Sequence, residues 1–93
     1  MTHQFELGQV VTTAEIYEAM QEHRGFKLDV MEALLKYRNR DWGDTSDGDK
    51  EANDWALDNG DRLLAAYETG RGRIWIITEW DRSVTTILFP HEY

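Results

Sequence analysis

Two polar stretches of the chain have the residue types that a binding site uses. Aspartates flank a tryptophan in Asp41-Trp42-Gly43-Asp44, and Glu79-Trp80-Asp81-Arg82-Ser83 separates two apolar runs. An arginine can fix an anionic group, hydroxyls can add hydrogen bonds, and a tryptophan can stack on a ring. The candidate binding residues are Asp41, Trp42, Asp44, Arg62, Thr78, Glu79, Trp80, Asp81, Arg82, Thr85 and Thr86.

Two interpretations of these residues are open. In the first, the aspartates and serine cap backbone amides and Arg82 pairs with a nearby carboxylate. In the second, Trp42 and Trp80 rim a pocket that binds a small ligand, an ion or a side chain of a partner. Paired carboxylates can also catalyse glycoside hydrolysis, but nothing here sets their separation and so short a chain offers little cleft. We therefore expect no catalytic residue and no cofactor.

A metal site is also not expected. The segment from Asp44 to Asp49 is similar to a calcium loop, but with Gly48 at position 6 of the template, position 1 is Gly43 and position 12 is Asp54. The three histidines, at positions 3, 23 and 91, share no spacing typical of metal ligands. We expect His23 to be partly buried on a helix face.

Most of the net charge of −8 lies in one segment, because residues 41–61 hold eight acidic side chains and a single base, Lys50. This distribution disfavours direct nucleic-acid binding, which needs clustered bases. One interpretation is a solvated helix that keeps the protein soluble. The other is a surface that engages a basic partner, with mimicry of DNA against a restriction or CRISPR effector as a sub-hypothesis. The acidic surface comprises Asp47, Asp49, Glu51, Asp54 and Asp58.

The periodicity predicts three helical segments before the strands. Thr12 to Glu15 is typical of a capping box, and Gly25 would end the helix that it starts. A second helix is predicted from Leu28 to Tyr37. A third runs from Asp49 to Asn59 after a cap at Ser46 or Asp47. Its predicted buried stripe comprises Ala52, Trp55, Ala56 and Asn59.

The strands follow the helices. Arg62 to Glu68 alternates, and Ile74 to Thr78 and Val84 to Phe89 are rich in β-branched and aromatic residues. We predict an α+β domain over residues 1–93: three N-terminal helical segments packed on a three-stranded antiparallel C-terminal meander, with a short N-terminal edge strand or extended lead-in over Phe5 to Val11. Because both sheet faces carry large apolar residues, either the helices wrap the sheet or a second copy covers it. We therefore expect a monomer or a homodimer.

The composition narrows the class of protein. With no cysteine, disulfides and thiolate zinc sites are excluded. No apolar run has the roughly 20 residues of a membrane helix, and MTHQFELGQ lacks the pattern of a signal peptide. We expect a cytoplasmic protein that does not contact a membrane.

Four motifs carry a resemblance over most of residues 5 to 93: DWGD at 41–44, the helix around Asn53, RLLAAY at 62–67 and IWIITEWDRSVTTILFPHEY at 74–93. Together they resemble a family of small bacterial proteins, labelled plasmid-related, that plasmids, prophages and other mobile elements carry. The resemblance implies a cytosolic accessory protein of a mobile genetic element with no settled biochemical role. With the acidic segment, it favours a non-enzymatic interaction module with an unidentified protein partner; the alternative is a small-molecule or ion binder.

Overall fold

The computed structural model describes residues 5–93. Its elements are β1 (Gln9–Thr12), α1 (Ala14–Glu22), α2 (Arg24–Arg38), α3 (Asp47–Asn59), β2 (Leu63–Thr69), β3 (Gly72–Thr78) and β4 (Val84–Leu88), then a 3-10 turn at Pro90–Glu92. The predicted α+β class is confirmed. Within residues 5–93, no helix combines the length and apolarity that crossing a bilayer requires.

The sheet has four strands in the order β1-β4-β3-β2. β2, β3 and β4 form the predicted antiparallel meander, in which Ile76 lies opposite Ile87. β1 adds to the free edge of β4 in a parallel register that sets Gln9 opposite Val84. The sequence predicted the meander but not the direction of the edge strand, and the parallel pairing of that first strand makes the sheet mixed.

The N-terminal strand begins later than predicted. Phe5 and Leu7 precede β1 and pack, partly buried, against the core. Gly8 has a φ of 65°, and a Cβ there would lie 2.3 Å from the carbonyl oxygen of Arg82. Glycine is therefore required where the chain turns against the β3–β4 loop to begin β1.

One face of the sheet forms the core with the helices. Alternate residues of the three meander strands point to this face and are buried: Leu63, Ala65, Tyr67, Ile74, Ile76, Thr78, Thr85 and Ile87. The helices pack against them with Ile16, Phe26, Val30, Ala33 and Tyr37. Burying each large aliphatic or aromatic side chain contributes roughly 1.5–3 kcal/mol, so this layer is the main source of stability.

The opposite face is covered in part by the end of the chain. Ile77 and Leu88 are buried there, and the Tyr93 ring packs edge-on against Trp75 with 5.4 Å between centroids. The residues after β4 thus shelter part of a face that the helices leave open.

The first two helices differ from the prediction at their junction. Thr13, not Thr12, is the N-cap of α1, and its hydroxyl accepts from the Ile16 amide. Glu15 contacts His91 instead of closing a capping box. His23 separates α1 from α2 and is exposed, whereas Gly25 lies inside α2. Gly25 therefore does not end α1, because a non-glycine residue in an extended conformation makes the break.

α3 begins at Asp47, two residues before the predicted start, and ends at the predicted Asn59, but its buried stripe differs. Ser46 is its N-cap, and Gly60 ends it with a φ of 69°. Its buried residues are Asn53 and Ala56, while Ala52 and Trp55 are exposed. The predicted stripe is wrong by about a third of a turn because α3 lies beside the edge of β2 and presents an amide to it.

Candidate functional site

The structure divides the predicted binding residues among four places. Asp41, Trp42 and Asp44 lie beside the free edge of β2. Glu79 to Arg82 form the β3–β4 loop, and Arg62 lies at the start of β2 next to it. Thr78 and Thr85 point into the core, and Thr86 points to the other face of the sheet.

The segment from Gly43 to Thr45 pairs with the edge of β2. The Asp44 amide donates to the Ala66 carbonyl at 2.9 Å, and the Ala66 amide donates to the Thr45 hydroxyl at 2.9 Å. The Glu68 amide donates to the Asp44 carboxylate, also at 2.9 Å. An unpaired strand edge is a template for aggregation, and these contacts close it.

Asn53 of α3 completes this edge. Its side-chain amide donates to the Leu64 carbonyl at 3.0 Å and accepts from the Leu64 amide at 3.1 Å, as a neighbouring strand would. Both outward-facing backbone groups of Leu64 and of Ala66, and the amide of Glu68, therefore have protein partners. We call this set, Gly43 to Thr45 with Asn53, the β2 edge cap.

Trp42 lies in the core and not at the rim of a pocket. Only 4% of its surface is exposed, and its ring packs against Tyr37 with 5.5 Å between centroids. Its indole N–H donates to the Asp54 carboxylate at 2.9 Å. The prediction that Trp42 stacks on a ligand is therefore corrected, since the ring has no open face.

Arg82 binds backbone carbonyls. Its guanidinium donates to Asp61 at 2.6 Å, to Glu79 at 3.1 Å and to Ala56 near the end of α3 at 3.0 Å. The structural interpretation assigned it a carboxylate partner, which is wrong. The group satisfies carbonyls at the end of α3 and in the β3–β4 loop, so it joins these two parts of the fold.

We expect Arg82→Ala to lower the free energy of unfolding by about 2 kcal/mol, because charge-assisted hydrogen bonds to several carbonyls are lost. Arg82→Lys should restore less than half of the loss, since an ammonium cannot reproduce the planar fork. Urea unfolding followed by tryptophan fluorescence measures both. Arg71→Ala, at an exposed position in the β2–β3 turn, is the control and should change stability by less than about 0.5 kcal/mol. A wild-type midpoint for Arg82→Ala would contradict this role.

The remaining loop residues are more open. Arg62 donates to the Tyr93 hydroxyl at 2.7 Å and lies 3.9 Å from the Glu79 carboxylate. Trp80 is 65% exposed. Hydrogen bonds from the Ser83 hydroxyl and amide lower the pKa of the Asp81 carboxyl. Asp81 therefore caps the loop as predicted. Trp42 lies in the core, so it does not rim a pocket together with Trp80.

Thr78 and Thr85 belong to a buried chain of hydroxyls. Tyr37 donates to Thr78 at 2.6 Å, Thr78 to Thr85 at 2.8 Å, and Thr85 to the Leu7 carbonyl at 2.6 Å. The final carbonyl can only accept, which fixes the donor direction along the chain. Burial raises the pKa of the Tyr37 hydroxyl well above its ordinary 10.0, so it stays a donor. The Thr85 hydroxyl is thus committed to the fold and not offered to a ligand.

The acidic segment splits into bound and free carboxylates. Asp41, Asp44, Asp54 and Asp61 accept hydrogen bonds from the fold. The exposed carboxylates Asp47, Asp49, Glu51 and Asp58 form no ion pair with any residue that the structure describes.

Trp55, which the periodicity placed in the buried stripe of α3, is exposed. Trp55, 58% exposed, lies on the outer side of α3 four positions after Glu51 and three before Asp58. We define the α3 outer face as Trp55 with Asp47, Glu51 and Asp58. If the buried side of α3 is assigned to Asn53 and Ala56, the helical periodicity places Trp55 on the solvent side.

A groove of about 600 Å³ lies between α1 and the β2–β3 turn. Its walls carry Glu15, Glu18 and Glu22 on one side and Arg71 and Arg73 on the other. His91 lines it too and pairs with Glu15. Across the described part of the chain, no group of three or more histidine or acidic side chains could hold a metal ion.

Comparison of the chain with protein-family models, with curated proteins and with solved structures found no match.

Proposed function

We propose that this protein is a non-enzymatic interaction module, a cytoplasmic accessory protein of a mobile genetic element, that binds a basic protein partner through α3. The observation that carries the proposal is the exposed tryptophan of the α3 outer face, Trp55, 58% of whose surface is open to solvent. Tryptophan is among the residues that dominate binding energy in protein interfaces.

The charges around Trp55 support a basic partner. Asp47, Glu51 and Asp58 have no ion pair within residues 5–93, so their charge is available to a binding protein. Complementary charge accelerates encounter and rejects wrong partners, while a central aromatic side chain supplies most of the affinity. The α3 outer face combines both features on a single rigid helix.

The small-molecule alternative has less support. The residues that it needs are divided among the β2 edge cap, the carbonyl-binding guanidinium of Arg82 and the buried hydroxyl of Thr85. Mimicry of DNA also has less support, because the free carboxylates lie on one helix of 13 residues and not along an extended surface.

The test compares variants of one tagged protein in a bacterial lysate. Asp47→Lys/Glu51→Lys/Asp58→Lys and, separately, Trp55→Ala should each remove the same basic protein from the captured set. The controls are Glu6→Lys/Glu18→Lys/Glu22→Lys, which makes the same charge change at exposed positions elsewhere, and Trp80→Ala, which removes another exposed tryptophan. Both controls should retain the partner.

Capture should also weaken as salt is raised, because exposed charges are screened. A captured set that is the same for the wild type and for both α3 variants would overturn the proposal. If the α3 charge variant and the control charge variant lose the captured protein equally, the effect comes from net charge, and this result would also overturn the proposal.

A further inference from the structure

α2 has two apolar faces, and only one of them packs on the sheet. Phe26, Val30, Ala33 and Tyr37 line the buried face. On the opposite side Leu28 is 56%, Met31 52% and Leu35 60% exposed. With 3.6 residues per turn, positions i, i+3 and i+7 form one stripe, which a helix with a single packing partner does not need.

Two shallow grooves, both lined by Met31, adjoin this stripe along one side. One, of about 230 Å³, lies between Leu7 and Leu34 and includes Met31 and Leu35. Another, of about 450 Å³, includes Met20, Leu28 and Met31. Exposed apolar side chains grouped beside such grooves form a surface on which another protein segment can pack.

Basic side chains flank the stripe. Arg24 and Lys27 lie at its N-terminal end and Arg38 at its C-terminal end, all exposed. None forms an ion pair within the part of the chain that the structure describes. Antiparallel pairing of α2 with α2 of another copy would bring these like charges together, which is unfavourable. The charges favour an occupant that is apolar at its centre and acidic at its ends.

The α3 outer face supplies acids at both ends, with Glu51 and the apolar ring of Trp55 between them. Its Trp55 is exposed, and its Asp47 and Asp58 are eleven positions apart, as are Lys27 and Arg38 on α2. At a rise of 1.5 Å per residue, each pair spans about 16 Å, so acids and bases can meet at both ends in either helix direction. Trp55 then lies over the Leu28–Leu35 stripe.

We infer that α3 of a second copy of this chain docks on the outer face of α2. The contact is heterologous, because α2 of one copy meets α3 of another. It rests on the proposed function, since it uses the same α3 outer face, with the basic side chains of α2 in the place of a basic partner protein although the whole chain carries −8. The ion pairs at the ends of the contact are screened by salt, so we expect the association to weaken as the salt concentration rises.

Sedimentation velocity of two complementary variants tests the contact. Met31→Glu/Leu35→Glu removes the α2 stripe and keeps the α3 outer face. Trp55→Ala/Asp58→Lys removes the α3 outer face and keeps the α2 stripe. All four positions are exposed, so both variants should fold as the wild type does. Each variant alone should sediment as a monomer of 10.9 kDa, and an equimolar mixture should form a one-to-one dimer.

The wild type should associate further as its concentration rises. Trp55→Ala alone should raise the dissociation constant about 30-fold, the effect of losing an interface hot spot. Trp80→Ala/Asp81→Lys, the same types of substitution in the β3–β4 loop, should leave association unchanged.

Three results would overturn the inference: a wild type that stays monomeric at high protein concentration, a mixture that stays monomeric, or association of Trp55→Ala/Asp58→Lys with itself. The last result would assign the stripe to an α2–α2 contact. A monomeric wild type that still loses a captured basic protein on Trp55→Ala would overturn the inference alone. If the chain associates with itself as expected but captures no basic protein from the lysate, the α3 outer face binds a second copy only. That result would overturn the proposed function and leave the inference intact.

Discussion

Asn53→Leu is expected to lower the free energy of unfolding by about 3 kcal/mol, because both backbone groups of Leu64 would lose their partner on a buried edge. Asn53 is 4% exposed, and its amide makes both hydrogen bonds, at 3.0 and 3.1 Å. For a domain of this size, such a loss lowers the melting temperature by more than about 10 °C. Thermal unfolding by circular dichroism measures it.

The control for this substitution is Asn59→Leu. Asn59 is exposed at the end of α3, and its amide donates to the Trp55 carbonyl. Its loss should cost no more than about 0.5 kcal/mol. Similar melting temperatures for the two variants would contradict the β2 edge cap.

A second substitution at the same position separates the two hydrogen bonds. Asn53→Asp keeps an acceptor for the Leu64 amide but sets a carboxylate against the Leu64 carbonyl. This repulsion raises the pKa of the introduced acid in the folded state. The folded state then binds the proton more tightly than the unfolded chain, so stability relative to the wild type improves as the pH falls from neutral. If the difference in free energy of unfolding between Asn53→Asp and the wild type stays constant as the pH falls from neutral, position 53 does not bind the Leu64 carbonyl.

Gly43→Ala is expected to lower the free energy of unfolding by about 3 kcal/mol or more, because backbone strain and steric overlap add together. Gly43 has a φ of 60°, and a Cβ there would lie 2.4 and 2.5 Å from two ring carbons of Tyr67. The ring cannot retreat, since it is buried and its hydroxyl donates to the Asp41 carbonyl at 2.6 Å. Urea unfolding gives the size of the loss.

Gly48→Ala is the matched control, with the opposite sign. Gly48 lies in the first turn of α3, and no atom is within 4 Å of its Cβ position. Alanine in a helix is favoured over glycine by roughly 0.5–1 kcal/mol, so this variant should unfold at higher urea than the wild type. If both variants shift in the same direction, the close approach of Gly43 to Tyr67 does not determine stability.

Together these experiments address the dual interpretation of the polar residues. Asp44, Asn53 and Arg82 bind backbone groups of the fold, and Trp42 lies in the core. Their chemistry alone could not separate the two interpretations, because an aspartate or arginine that binds backbone groups has the same residue type as one that binds a ligand. Trp80 of the β3–β4 loop and the outer faces of α2 and α3 remain open to solvent.

The amino-acid sequence by itself determined the α+β class, the meander and the alternate residues that share a sheet face, but it left open which face the helices cover. Alternation along Leu63–Tyr67 and Ile74–Thr78 depends on neighbouring residues alone, as do the Ser46 cap and the Gly60 end of α3. The tertiary structure alone decided that β1 pairs with β4, that Trp55 faces outward and that Arg82 binds carbonyls. Each of these depends on residues distant in the chain, such as Gln9 and Val84. Such contacts are set by which surfaces the helices and strands can bury together, and local periodicity does not encode that choice.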